Sequence, residues 1–219
     1  MKIDRAGVPF VSAAAIPAAA LFLFGQTEWG AAVAAVAAFL LFFFRDPDRH
    51  PPADPHIVVA PADGRVLHAG MPESGVAPDG QWQQVSIFLS PLDVHVNRAP
   101  VDGRVIDVRF RPGRWLPAYN DRAAAENERS EVWIDHDGES VVFRQVVGVL
   151  ARRVVCRLAS GTVVVRGQRF GIMKFGSRMD VFVPPSAVVT VASGDRVRGG
   201  ETILARLRTD GSVACDGGP

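Results

Sequence analysis

Two unbroken apolar runs open the chain. Val8 to Phe24 is apolar apart from Ser12, with Pro17 in its middle, and Trp29 to Phe44 is apolar throughout; only Gly25-Gln26-Thr27-Glu28 separates them. Each run is about 17 residues, slightly short of the roughly 20 that a full helical span needs. The apolar residues cover every side of each predicted helix rather than one stripe, which suits lipid better than the surface of a soluble core. Lys2 and Arg5 precede the first run, and Arg45 and Arg49 follow the second. Cations at both outer ends place those ends on the cytoplasmic side. Residues 1–44 are therefore expected to form a membrane-anchoring helical hairpin, spanning or re-entrant, at a cell (inner) membrane. The apolar pattern runs on into a second segment without a cleavage site, which argues against a removed leader.

Pro47, Pro51, Pro52, Pro55 and Pro61 follow closely. Such a stretch is extended and cannot be helical. Residues 45–61 read as a tether, with Arg45 and Arg49 at headgroup depth.

Beyond it the pattern changes to short β-branched runs punctuated by Gly, Pro and Asp. Candidate strands are Ile57–Ala60, Gly64–Ala69, Gln83–Leu89, Gly103–Arg111, Glu131–His136, Ser140–Val147, Thr162–Arg166, Met179–Val183, Val188–Val191 and Thr202–Arg206. Pro117 to Arg129 reads as a loop with a little helix, and Val149 to Leu158 fits either a helix or a strand. Asp63-Gly64-Arg65-Val66 and Asp102-Gly103-Arg104-Val105 echo each other as turn-then-strand units. Ser193 to Ala205 looks like the closing hairpin of lipoyl-type barrels, although Lys174 lacks the hairpin-tip setting of such carriers. The expected fold is mainly β, a compact barrel or sandwich over residues 62–219, preceded by the helical hairpin.

Composition narrows the function classes. A formal net charge of +1 in 219 residues gives no bulk attraction to nucleic acid. Lysine occurs only at positions 2 and 174. Cys156 and Cys215 form no disulfide framework, and no Cys/His cluster has metal-ligand spacing.

Chemistry gathers around Met173-Lys174-Phe175-Gly176-Ser177-Arg178-Met179-Asp180. The simplest reading of Gly176-Ser177 is a turn between strands. A reactive reading also exists, because glycine tolerates strained geometry at its peptide and a serine hydroxyl becomes nucleophilic once a base takes its proton. Attack of Ser177 Oγ on the Gly176 carbonyl would convert the amide to an ester. Elimination across Cα–Cβ of Ser177 would then break the chain, and hydrolysis would leave a pyruvoyl group at the new N-terminus. Such a ketone can form a Schiff base and accept an electron pair, as pyridoxal does. His95, between Val94 and Val96, titrates near neutrality and suits the base. Asp63, on an Asp-Gly turn, could orient an imidazole. The plainer alternatives are a structural histidine and a turn-forming aspartate.

The motifs together are more specific than any alone. They are the apolar hairpin, Phe44-Arg45-Asp46-Pro47, Ala62-Asp63-Gly64, Leu89-Ser90-Pro91-Leu92-Asp93-Val94-His95-Val96-Asn97-Arg98, Asn127-Glu128-Arg129, Gln145-Val146-Val147-Gly148 through Ala151-Arg152-Arg153, and Phe175-Gly176-Ser177-Arg178-Met179-Asp180. On these the chain resembles the short, prokaryotic-type phosphatidylserine decarboxylases, which are pyruvoyl-dependent. The resemblance implies cleavage between Gly176 and Ser177 into a β chain, 1–176, and an α chain, 177–219. It implies a Ser177-derived pyruvoyl cofactor and help from His95 and Asp63. It also implies a phospholipid substrate and a heterodimer of the two chains, alone or within a higher oligomer. The longer members of the family carry a second histidine where this chain has Arg98. Arg98, Arg178 or Lys174 are the candidates for holding the substrate's phosphodiester or carboxylate. Rival readings stay open: a decarboxylase of a related phosphoserine lipid such as archaetidylserine, or a non-enzymatic membrane-anchored β-barrel scaffold.

Overall fold

The computed structural model describes residues 2–120, 122–149, 154–173 and 177–208. The two apolar runs form helices α1 (Val8–Leu23) and α2 (Thr27–Phe43). They pack against each other, so closely at Gly30 that a Cβ there would lie 3.0 Å from the Phe22 ring. Their outer faces expose Phe10, Ile16, Leu23, Phe24, Trp29, Val36, Phe39 and Phe42. An apolar surface of that extent marks a face for contact with a membrane or another protein. The helix that ends at Leu23 is long and apolar enough to cross a membrane, and α2 is shorter.

The strands, in chain order, are β1 (Lys2–Ile3), β2 (Arg45–Asp46), β3 (Ile57–Val59), β4 (Gly64–Gly70), β5 (Gln83–Leu89), β6 (Val96–Arg98), β7 (Gly103–Arg111), β8 (Arg129–His136) and β9 (Glu139–Val146). They continue as β10 (Val154–Cys156), β11 (Val163–Val164), β12 (Arg169–Met173), β13 (Ser177–Val183), β14 (Val188–Val189), β15 (Arg196–Val197) and β16 (Ile203–Arg206). One long antiparallel sheet has the order β11-β7-β8-β9-β13-β5-β4-β15. Two small sheets, β10-β12-β6 and β14-β16-β3, accompany it, and β1 pairs with β2. The main core, which includes Val58, Ile87, Leu89, Val105, Ile134, Phe143, Phe170, Met179, Val181 and Leu204, joins the long sheet to both small ones. A second cluster of Phe43, Phe44, Val94, Val96 and Ile172 docks the foot of the hairpin onto β6 and β12.

The two echoing Asp-Gly units occupy matching places. A Cβ on Gly64 would lie 2.2 Å from the Phe88 carbonyl oxygen, and one on Gly103 2.2 Å from that of Asp135. Each glycine lets a strand start hard against its neighbour, and Gly103 does so at φ +146°.

The proline-rich stretch is extended, as its composition requires, but it is bound rather than loose. Arg45–Asp46 pairs with Lys2–Ile3. Arg49 bridges Asp63 at 2.7 Å and Glu201 at 3.0 Å, so the tether is held to the β domain. Ile57–Val59 is a fully buried strand. The Val149–Leu158 alternative resolves in its described part to the strand β10. The predicted small helix is α3 (Ala123–Glu126).

Candidate active site

Ser177 is the first residue of β13, which sits between β5 and β9 and is paired to both. Side chains alternate along a strand. Ser177 therefore shares its face with Met179 and Val181, which are core residues, whereas Phe182 packs in a separate cluster on the other face. Ser177 is fully buried, and its Oγ has no hydrogen-bond partner among the described residues.

His95 stands just before β6. Its carbonyl accepts a hydrogen bond from the Met173 amide at 3.2 Å, and Ser177 follows Met173 by four positions. Val96 and Ile172 pair in the next step of that ladder. The two residues thus flank the same short segment, 174–176, which lies outside the described residues together with the predicted cleavage partner Gly176 and Lys174. Ala151-Arg152-Arg153 and Cys215 lie outside them too.

The hydrogen bonding of His95 fixes its tautomer. Nδ1 lies 2.9 Å from the Asp93 carbonyl oxygen, an acceptor only, so Nδ1 carries the proton. Nε2 is then a bare lone pair, and it is buried without a partner. The imidazole lies against the Phe43 ring at 4.2 Å between centroids. Burial pushes its pKa down to about 4, and the nearby Arg45 guanidinium adds to this; the hydrogen bond to Asp93 and the Asp93 carboxylate oppose it. At neutral pH the ring is uncharged, the state in which Nε2 can accept a proton.

Asp63 does not touch this imidazole. Its Oδ2 accepts from Arg49 at 2.7 Å and its Oδ1 from the Gly199 amide at 2.7 Å. Burial raises its pKa against the opposing pull of these two partners. It anchors the tether to the β15–β16 turn, and the Asp93 carbonyl orients His95 in its place.

The two arginines considered for substrate are engaged inside the protein. Arg98 is 4 % exposed. It donates to the Gly167 carbonyl (3.0 Å), the Asp46 carboxylate (3.0 Å) and the Pro47 carbonyl (2.7 Å). One step from Asn97 on β6, it points away from the core that Asn97 enters. The position where longer relatives place a histidine is here a clamp on Asp46 of the tether. Arg178, next to Ser177 but on the other sheet face, is 2 % exposed. It donates to Asp180 at 2.6 Å and to Ser86 at 2.8 Å, and it pairs with Glu73.

The pattern along the sequence did not single out Asn97 and Gln145. Asn97 lies two residues beyond His95, hence on its face. Its Oδ1 accepts from Gln145 Nε2 at 2.8 Å, and Gln145 Oε1 accepts from Ser130 Oγ at 2.8 Å. Gly171 makes room for this chain, because a Cβ there would lie 3.0 Å from Gln145 Nε2 and 2.2 Å from the Val155 carbonyl oxygen. Asn97 Nδ2 remains buried and unpartnered. Among the described residues three polar atoms, His95 Nε2 and Asn97 Nδ2 from the small sheet's side and Ser177 Oγ from the long one, thus have no partner. Buried polar groups are nearly always satisfied, so each of these atoms calls for a partner or a role. The only earlier signal was that Asn97 and Gln145 fall inside the quoted motifs.

Among the described residues no group of acidic, histidine or cysteine side chains is arranged to hold a metal ion.

Residues 36–205 match the family model described as phosphatidylserine decarboxylase. The phosphatidylserine decarboxylase proenzyme of Pelodictyon phaeoclathratiforme is 45% identical over 200 residues, covering 90% of this chain and 93% of that one. The proenzymes of Salinibacter ruber (47% over 175 residues, 78% and 77% covered) and Magnetococcus marinus (39% over 210 residues, 94% and 95% covered) are similar to it as well. Matched over most of its length by the family model and by these relatives, the chain belongs to the phosphatidylserine decarboxylase family.

Proposed function

We propose that the chain is a self-processing, membrane-anchored phosphatidylserine decarboxylase, cut between Gly176 and Ser177. The observation that carries this reading is that His95 Nε2, proton-free, and Ser177 Oγ are both buried and without partners among the described residues, at the two ends of the stretch around residues 174–176.

In self-cleavage His95 Nε2 takes the Ser177 hydroxyl proton. The oxygen attacks the Gly176 carbonyl, and the peptide N–C bond gives way to an ester. Removal of the Ser177 α-proton expels that ester oxygen, so residue 176 leaves with a carboxylate. Water then replaces the nitrogen at Cα of residue 177, which departs as ammonia. The carbonyl oxygen carries negative charge during the first step. Asn97 Nδ2, with its carboxamide held by Gln145, is the side-chain donor available on the His95 face. Removing one such donor typically costs about 10²–10³ in rate.

The buried Ser177 Oγ, without a partner among the described residues, fits the formation of a pyruvoyl group. That group supplies an electrophilic carbonyl able to take up the electrons released when CO₂ leaves. The chain does the rest. The β5 and β9 ladders keep the new N-terminus of the 43-residue fragment (219 − 176) in its strand after the cut. The core around Met173 and Met179 keeps water out. Replacing CO₂ at the substrate carbon needs a proton from solvent; His95 Nε2, the free lone pair of a ring that is neutral at rest, takes that proton up and donates it to the carbon. The hairpin holds the enzyme at the bilayer, where a diacyl lipid resides, with the catalytic domain on the cytoplasmic side.

The test is a Ser177→Ala chain beside wild type, assayed with phosphatidylserine in mixed micelles. The expected result is two fragments and CO₂ release from wild type, and one chain without CO₂ from the variant. An active, uncut Ser177→Ala protein would end this reading.

A further inference from the structure

On the face of the long sheet turned away from Ser177, the Arg129 of Asn127-Glu128-Arg129 takes part in a cluster that the decarboxylase reading does not use. Two cross-strand rows run there over β7, β8 and β9. In the first, Glu131 stands between Arg109 and Arg144. Glu131 binds Arg144 at 2.5 Å, and Arg109 turns to Asp107 at 2.6 Å, so this row is compensated. In the second row Arg111 faces Arg129 directly. Like charges at directly opposed positions destabilise a sheet. Among the described residues neither arginine has a carboxylate partner. Arg111 is exposed. Arg129 gives its NH1 to the Ala125 and Asn127 carbonyls, and its Nε is buried and unsatisfied. Burial, then the charges of Arg144 and Arg111, lower the pKa of this guanidinium.

These groups enclose a cavity of about 190 Å³, lined by Arg109, Arg111, Arg129, Arg144, Asp79 and Glu131 beneath the 75–79 loop. Asp79 makes no ion pair among the described residues. Among the residues that line the cavity four arginines meet two carboxylates, and neither Arg111 nor Arg129 pairs with either. We propose that this arginine cradle binds a small phosphate-bearing anion between Arg111 and Arg129. Guanidinium groups bind phosphate oxygens through paired, charge-assisted hydrogen bonds. Such an anion would remove the like-charge opposition and satisfy the orphaned Nε. The proposal is independent of the decarboxylase reading.

The experiment uses the full-length Ser177→Ala chain in detergent micelles, titrated with inorganic phosphate against chloride at equal ionic strength and followed by calorimetry. Saturable binding at one site per chain is expected, about tenfold weaker or worse in Arg111→Gln. Arg111 is exposed and has no ion-pair partner among the described residues, so that variant should melt at or above its parent's temperature in chloride, as loss of the like-charge opposition requires. Arg104→Gln, also exposed on β7 but outside the cradle, should bind phosphate as the parent does. No saturable binding in the parent chain, or equal losses in both variants, overturns the proposal. Glycerophosphoserine competing with phosphate at this site identifies a lipid headgroup as the source; competition by free phosphomonoesters alone identifies a soluble anion.

Discussion

The ring of Phe43 lies 4.2 Å from the imidazole of His95, the planes 34° apart. Phe43 is the last residue of α2, and both side chains are fully buried. The apolar hairpin thus ends against the residue proposed as the base, and its aromatic foot helps exclude the water that would otherwise favour the charged imidazole. Phe43→Ala should destabilise the fold by about 3–5 kcal/mol. It should also raise the His95 pKa from about 4 toward the ordinary value of roughly 6.5. Imidazole NMR titration of an uncleaved Ser177→Ala background reads this directly; an unmoved His95 would contradict the desolvating role of Phe43.

The same depressed pKa sets a pH window for stability. Below about pH 6.5 the unfolded chain protonates this histidine while the folded chain does not, down to about pH 4. Stability contributed by the neutral ring is therefore full above about 6.5 and lost as pH falls from there toward 4. Melting curves at both ends of the window, compared between Ser177→Ala and the His95→Gln double variant, isolate this group. The parent should lose more stability on acidification, and equal losses would refute the burial argument.

Arg98→His tests the departure from the longer relatives. The new imidazole would sit on the strand face opposite His95 and Asn97, so no second base appears. Asp46 would lose one buried partner but keep Arg169 at 2.5 Å, so the cost should stay below the about 3–5 kcal/mol of an uncompensated buried charge. The expected outcome is a less stable protein whose folded fraction cleaves at the parental rate. Faster cleavage would show that this position reaches the reaction centre after all.

Asn97→Ala removes the unpartnered Nδ2 and frees Gln145. Self-cleavage should slow by about 10²-fold, as for a lost oxyanion donor. Gln145→Leu keeps Asn97 but releases its carboxamide, and a smaller loss is expected. Identical losses with identical falls in melting temperature would reduce Asn97 to a structural residue.

Much of this fold could be read from apolar patterning. The hairpin, and strands such as Gln83–Leu89 and Gly103–Arg111, have strong local signals: continuous apolar cover in one case, β-branched residues bounded by Gly and Pro in the other. The short strands β6, β12 and β15 do not, since their pairing depends on partners distant in the chain. The site divides in the same way. Ser177 and His95 carry recognisable chemistry, and their neighbours along the chain point to them. Asp63 reads as a triad acid, but its carboxylate is taken by Arg49 and Gly199, a relationship made only by the folded tether. The roles of Arg98 and Arg178 were equally hidden, because which face of a strand is buried and which carboxylates wait there are tertiary facts.

The central claim is a polypeptide that severs itself at Ser177, and intact mass of the freshly purified full-length protein tests it most directly. The account predicts two chains, the smaller spanning 177–219 and starting with a ketone in place of a free amine. An unbroken 219-residue chain that decarboxylates phosphatidylserine with an unaltered serine at 177 would contradict it.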